Sequence, residues 1–440
     1  MVKKMKIFNQ KNIDVIKEIM EYVLVILLIF ECNSIYSQIY NIHYVIRSLI
    51  IIITCGIMVF DILARMINKK LILYMPILLY VFFDLVCSVI MFFKCDNNTG
   101  RFIILMYFVM FIPIFFIYLS NMEYIDLKRI VKKFINVVLI ISVTSMFFWI
   151  FGSVLNIIKP VNEIKVVWGR PYSLMDNYFG LYFDSHQDIY WLTNSPIPRN
   201  IGIFGEAPMY AAVLMFAMTA NLILYNNEMS QINKKFNVIK SIILILTMLS
   251  TISATGIIFS LIIIIFYVIK ILKNLSVKIR RIICGIIVIG LIALVPIGFQ
   301  VFNKKVSSSS AMHRNNDIIN GIRVFAENPI IGKGINHSRE NESNSEKGYG
   351  YSNSIIPIIT DGGVLLGMLY LVPMLLLIIK NFFYRRINNI AILIMYTIIL
   401  FTTIIQYRLF MFVIVGIMYC ITFENTIWNC QKNESGCLDE

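Results

Sequence analysis

Apolar runs of about 18 residues or more, each able to cross roughly 30 Å of hydrocarbon at about 1.5 Å per residue, recur along almost the whole chain. Twelve can be drawn, near 20–38, 44–66, 71–93, 102–119, 134–157, 203–225, 236–252, 254–273, 281–301, 354–379, 389–406 and 409–427. The pattern predicts an all-α polytopic membrane protein with about 12 transmembrane helices. Nearly every residue falls in a span or in a segment joining two spans, so a single membrane domain over 1–440 is expected. The weakest division is STISATG (250–256), the one break in a long apolar stretch. Fusing the spans on either side would leave eleven and invert everything downstream. The first apolar run starts only near Tyr22, behind the basic MVKKMK, with no small-residue cleavage site after it. The first helix is therefore expected to stay.

Charge supports twelve spans. Lys and Arg prefer cytoplasmic loops, and this division puts KK (69–70), LKRIVKK (127–133), NKK (233–235), KNLSVKIRR (273–281) and YRR (384–386) on the same side as MVKKMK. Both termini are then cytoplasmic. The opposite side receives short turns and two large external loops, 158–202 and 302–353, which translocate despite their charges because long loops escape the rule. The net charge of +14 lies mostly at cytoplasmic helix ends. Topology and anionic headgroups explain it, and nucleic-acid binding is excluded. The eight cysteines (Cys32, Cys55, Cys87, Cys95, Cys284, Cys420, Cys430 and Cys437) mostly sit in apolar runs without metal-ligand spacing. They read as packing residues, and no metal site is expected.

The second external loop contains AMHRNNDIINGIRVFAENPIIGKG (311–334), which carries Arg314 and Arg323. At about 100° per residue, with Arg314 at zero, Gly321 falls near −20°, Phe325 near +20°, Ile318 near +40°, Ile322 near +80° and Arg323 near 180°. This predicts a helix along the outer membrane surface, stopped by Pro329. It would hold Arg314 inward and Arg323 towards loop or water. Snorkelling of Arg314 to headgroups, or pairing with Asp317, is the plainer alternative. The first loop ends in IPRNIGIFGEAPMYAA (197–212), with Arg199 just before the sixth span and Gly202, Gly205 and Pro208 around Glu206. Two loops that each deliver an arginine at the membrane surface suggest a clamp for a diphosphate, whose oxygens the guanidinium fork matches.

These residues carry a family resemblance. Arg199-x-x-Gly202-x-Phe204-x-x-x-Pro208-x-x-Ala211, then Arg314, the Asn328-Pro329 step, Gly332-x-Gly334, Asn353 and the Gly362-Gly363 pair resemble the O-antigen polymerase and O-antigen ligase superfamily (Wzy-like). Arg323 and Gly334, with ten residues between them, also match an Arg-x10-Gly spacing of polymerases. The resemblance implies a metal-independent glycosyltransferase resembling the GT-C class in the bacterial cytoplasmic membrane. Its substrate would be oligosaccharide on undecaprenyl diphosphate, its surroundings membrane lipids and other polysaccharide assembly proteins, and it would need no cofactor. Arginines would stabilise charge on the leaving diphosphate, while a carboxylate or imidazole takes the acceptor's proton.

One departure bears on the choice of member. Ligase-type members usually carry His-Asn at the end of the second loop, whereas this chain has Ser352-Asn353-Ser354. His337 lies in the same loop, but NHSRENESNSEKGYG (336–350) reads as a flexible polar stretch. Glu206 is the preferred base, and Asp361, just inside the tenth span, is another candidate because a carboxylate at membrane depth is costly unless used or paired. The stretch VVWGRPYSLMDNYFGLYFDSHQDIYWLTN (166–194) has the mix of a sugar-binding surface and equally of an interfacial belt. Trp168, Arg170, Tyr182, Asp184 and Trp191 are its candidates for sugar contact.

Polymerisation of repeat units is the reading favoured by the missing His-Asn. Ligation of a finished glycan to another acceptor is the alternative. A flippase or other transporter would be expected to show charges or broken helices near mid-membrane and recognisable sequence halves; here the polar groups gather in the loops and the halves look unlike. The topology has a direct check. Tags near residues 185 and 342 should be accessible from outside intact cells, and tags near 130, 235, 275 and 385 should not; protection of a protease site at 342 would overturn the scheme.

Overall fold

The protein is described by a computed structural model covering residues 2–68, 71–167, 172–189, 196–227, 231–273, 309–337, 351–384 and 387–423. Its helices are α1 (Val2–Glu31), α2 (His43–Asn68), α3 (Met75–Lys94), α4 (Asn98–Ser120), α5 (Tyr124–Phe148), α6 (Ala207–Asn227), α7 (Gln231–Ser250), α8 (Ala254–Lys273), α9 (Ser309–Glu327), α10 (Ile355–Tyr384), α11 (Ile387–Thr402) and α12 (Leu409–Thr422). Among the described residues, six are long and apolar enough to cross a membrane: α2, α3, α4, α5 with its continuation to Val154, α6 and α10. Shorter apolar helices occur at Ala254–Val268, Asn389–Thr402 and Leu409–Thr422. This is an all-α polytopic membrane fold. The expected ninth span (281–301) lies outside the described residues.

Several boundaries have visible causes. STISATG separates two helices: Ile252 takes a φ of 44°, and Ser253 Oγ caps α8 by accepting from Gly256 N at 3.0 Å. The first helix stops at Glu31 rather than running to 38. Asn33 adopts the left-handed conformation that asparagine tolerates (φ 55°), and Ile35 N donates to Ile203 O at 2.8 Å. Within α4, residues Ile104–Phe111 widen to π-helix just before Pro113, whose missing N–H and ring crowd the regular ladder. At the centre, α6 has 89% of its membrane window buried. Ala207, Ala211, Ala212 and Ala217 are wholly buried and let neighbouring backbones come close.

The first loop folds in a way its composition did not disclose. Strands β1 (Asn162–Val166), β2 (Ser173–Tyr178) and β3 (Tyr182–Asp184) form an antiparallel sheet in the order β1-β2-β3. The sheet is stitched to the α1–α2 turn, with Tyr40 N donating to Lys165 O at 3.1 Å and Val167 N to Gln38 O at 2.7 Å.

The second loop holds the expected helix, α9, with Arg314 inward and Arg323 outward as expected, but the buried stripe is turned away from the isoleucine flank. Asp317 and Gly321 are buried and Arg314 is half-buried, whereas Ile318 and Ile322 are 42% and 56% exposed and Arg323 is exposed. Close approach to α10 decides this, since a Cβ on Gly321 would lie 2.2 Å from Ile356 Cγ2.

Helix α10 is broken at Gly363 (φ 61°, ψ −153°). Such a break orphans backbone groups where hydrocarbon offers no partner, and the segment after α9 supplies the partners. Lys333 N and Gly334 N donate to the carbonyls of Thr360 (2.9 Å) and Asp361 (2.9 Å), while Val364 N and Leu365 N donate to those of Pro329 (2.8 Å) and Ile330 (3.2 Å). A side chain at Gly363 would have to occupy a conformation restricted to glycine, 2.5 Å from Ile330 C. Gly363→Ala should therefore destabilise the protein by about 1–3 kcal/mol, read as a fall in thermal midpoint in detergent. Gly367→Ala, with nothing within 4 Å of its added Cβ, should leave the midpoint unchanged; equal behaviour of the two variants would contradict this account of the break.

Candidate functional site

The paired break between α10 and residues 329–334 positions one side of a polar cavity. Asp361, the last residue before the glycine pair, is 1% exposed. Its Oδ2 accepts from Asn336 N at 3.0 Å and from Tyr407 Oη at 2.8 Å. Asn336 is held by the turn that follows Gly334, and the Ile335 carbonyl accepts from Asn97 Nδ2 at 3.1 Å. His337 is the next residue, half-buried, with its N–H donating to Gly334 O at 3.2 Å. The start of the stretch expected to be flexible is thus part of a docked turn; 338–350 lies outside the described residues.

The other side of the cavity is built on the 197–212 motif. Asn200 anchors it, donating from Nδ2 to Ser250 Oγ at 2.9 Å and accepting at Oδ1 from Gly202 N at 3.0 Å. Gly205 N donates to Asn33 O at 3.0 Å. These contacts fix Glu206 at the cavity wall. Arg199 Nε donates to the Thr251 carbonyl at 3.2 Å, on the turn between α7 and α8. Burial lowers the pKa of the Arg199 guanidinium from its ordinary value; Glu206 opposes the shift and Arg314 adds to it. Glu206 and Arg314 therefore both lie within electrostatic reach of Arg199, although α9 and the 197–212 motif are far apart in sequence. A guanidinium keeps its proton in proteins, so Arg199 and Arg314 both remain cations.

The cavity encloses about 290 Å³ and is lined by Glu206, Asp361, Asn336, Arg47, Arg408 and Tyr407, among others. Arg47 and Arg408 were missed by sequence reasoning. Both are nearly buried, at 9% and 8% exposure. Arg408 Nη2 donates to Asn33 Oδ1 at 2.9 Å, and its Nη1 stands 3.7 Å from Oε1 of the fully buried Glu31. Glu31 also accepts from Tyr107 Oη and, at 2.7 Å, from Leu409 N at the start of α12. The Gln38 carboxamide lies between the two guanidiniums, 2.7 Å from Arg47 Nη2 and 3.3 Å from Arg408 Nη2. A signal for these two was present. In the twelve-span scheme, both sit at external helix ends, where lone basic residues run against the usual distribution.

The remaining candidates are dispersed. Asn353 Oδ1 accepts from Ile356 N at 3.0 Å, one of the orphan donors in the first turn of α10. Arg323 is exposed on the far face of α9. Asp184 is buried in β3 and accepts from His186 N at 2.9 Å; it does not line the cavity. Val167 does, but Trp168, Arg170 and Trp191 lie outside the described residues. Buried Cys32, Cys55, Cys87, Cys95 and Cys420 are free thiols, and no cluster of metal-ligating side chains occurs among the described residues. Two features oppose the expectation that polarity is confined to loops. One is the break in α10. The other is Asp84 in α3, fully buried, with neither carboxylate oxygen hydrogen-bonded.

The architecture is that of an integral membrane protein with a polar cavity walled by loop motifs and helix ends. Residues 239–371 match the family model described as O-antigen ligase (Wzy_C), which supports the O-antigen ligase and polymerase superfamily that the motifs resemble. The matched stretch includes Arg314, His337, Asn353 and Asp361, while Arg199 and Glu206 precede it. Comparison with curated proteins gives no match.

The cap at Asn353 separates a structural from a substrate-binding role. Asn353→Ala should lower stability by about 0.5–2 kcal/mol, whereas Arg323→Ala should leave it unchanged. An unaltered thermal midpoint in Asn353→Ala would assign the side chain elsewhere.

Proposed function

We propose that this protein is a polysaccharide polymerase. It joins oligosaccharide repeat units carried on undecaprenyl diphosphate at the outer face of the bacterial cytoplasmic membrane, with both termini cytoplasmic. The observation that carries the reading is that Glu206 lines a polar cavity and that the charges of Glu206 and Arg314 both act on the Arg199 guanidinium. In the reaction, an acceptor hydroxyl oxygen bonds to the anomeric carbon of the donor sugar as the bond from that carbon to the diphosphate oxygen breaks. Glu206 takes the hydroxyl proton. Arg199 and Arg314 hold the charge that develops on the departing lipid diphosphate, and Asp361 on the cavity wall, with His337 one residue beyond the lining Asn336, serves the hydroxyls. The two large external loops, 158–202 and 302–353, would bring the glycan to this point.

A ligase is the second reading, favoured by the description of the family model that matches 239–371. Ser352 standing where ligase-type members carry histidine favours the polymerase. Deletion followed by examination of lipid-linked glycans decides between them. A polymerase deletion should lose long polymer and leave single repeat units exposed outside. Full-length polymer stranded on the lipid carrier would mean a ligase, and single units facing the cytoplasm a flippase. Arg314→Ala should copy the deletion at normal protein levels. Arg199→Lys and Arg314→Lys should each cut polymer formation by about tenfold or more, because a point charge cannot reproduce the bidentate fork. Normal polymer in both Lys variants would remove the clamp.

A further inference from the structure

The loop between α11 and α12 forms one wall of the cavity, with Ile404, Gln406, Tyr407 and Arg408 on its lining. It is fastened to the start of α10, where Ser354 N donates to Leu400 O at 2.9 Å and Ser354 Oγ accepts from Ile405 N at 2.8 Å. The Gln406 carbonyl accepts from Tyr370 Oη, which holds the backbone there. Two polar side chains of this wall are engaged within the protein, Tyr407 Oη with Asp361 Oδ2 at 2.8 Å and Arg408 Nη2 with Asn33 Oδ1 at 2.9 Å. Gln406 differs from both. The residue is 7% exposed, yet its Oε1 is buried with no hydrogen-bond partner among the described residues. His43, also on the lining, likewise has Nδ1 buried without such a partner. An unmet buried acceptor is destabilising, and an apolar side chain of similar size would fill the place of Gln406 without that cost.

We infer that Gln406 is a specificity-determining residue that binds the acetamido group of an N-acetylated sugar held in this cavity. A carboxamide carries an acceptor beside N–H donors, and an acetamido group presents the complement, an N–H beside a carbonyl oxygen. The last torsion of a glutamine is soft, so either edge of the amide can turn to the ligand. The acetyl methyl finds apolar neighbours on the lining: Ile404, two residues before Gln406, and Pro357 in the first turn of α10. A plain hydroxyl would meet the amide through one atom and leave those apolar groups uncovered. His43 Nδ1, donor or acceptor according to tautomer, suits a ring hydroxyl, which is both. The volume, about 290 Å³, lies at the lower edge of the roughly 300–1,000 Å³ typical of small-molecule sites. That fits a monosaccharide unit rather than a chain. Assigning this sugar to the repeat unit being joined rests on the proposed polymerase reading, but its recognition does not.

The test is thermal unfolding of the full-length protein in nanodiscs, titrated with N-acetylglucosamine, N-acetylgalactosamine or glucose. At least one of the two acetamido sugars should raise the midpoint by about 1 °C or more at saturation, and glucose should not. Gln406→Met and Gln406→Asn should each abolish that shift. Because it removes an unmet buried amide, Gln406→Met should leave the unliganded midpoint unchanged or higher. Gln406→Asn keeps the amide but withdraws it by one methylene, and it decides the matter if the Met variant does not fold. A shift with glucose as large as with the acetamido sugars, a shift that survives in the variants, or no shift with either acetamido sugar would overturn the assignment. A lowered unliganded midpoint in both variants would make the amide structural and overturn it equally. None of these outcomes depends on polymer formation, so the deletion experiment can fail while this one succeeds.

Discussion

The arrangement hangs on a backbone problem and its solution. A helix that breaks within a membrane protein leaves N–H and C=O groups that cost several kcal/mol each if unmet. The break at Gly362–Gly363 is met by four main-chain hydrogen bonds from a single segment, residues 329–334. That exchange locks α9 to α10 and places Asp361 at the end of an interrupted helix, where its carboxylate can accept from Asn336 and Tyr407. Two glycines of the second motif are explained by this contact. Gly332 and Gly363 both take positive φ, and each lies where a Cβ would strike the opposite backbone.

The sequence made the helical skeleton legible because hydrophobic run length is a strong signal. Each expected span that is described contains a helix, the first ending at Glu31 instead of 38, and the separation at STISATG holds. It also brought Arg199, Glu206 and Arg314 into one hypothesis, since a motif rich in glycine and proline beside an arginine stands out against apolar surroundings. Less visible was the face of α9. Helical periodicity placed Ile318 and Ile322 inward, yet a membrane protein can leave such side chains exposed to lipid, and the small Gly321 determined the contact instead. The β-sheet in the first loop was hidden because its strands are short and its composition resembles an interfacial belt.

Arg47 and Arg408 escaped notice for a different reason. Each is a single charge at the edge of an apolar run, and reading basic residues mainly as markers of sidedness discards those on the unexpected side. Asp84 and the α10 break also show that polarity in this fold reaches beyond the loops, which weakens one sequence argument against a transporter. Glu206 and the arginine pair nevertheless have a ready use in group transfer.

The anchors of the site lie on helix ends and tight turns: Asn33 after α1, Thr251 between α7 and α8, and the 329–334 segment against α10. Between these anchors run longer stretches, 166–194 and 336–350, tied to the site at their described residues by Asn336 N on Asp361 Oδ2 and Phe183 N on Gly202 O. Loops of this kind tolerate change in length and composition at small thermodynamic cost. Under the proposed reading, lineages could exchange the loop surfaces that meet the glycan while inheriting the anchored residues intact, and surface polysaccharides could diversify faster than the protein that joins them.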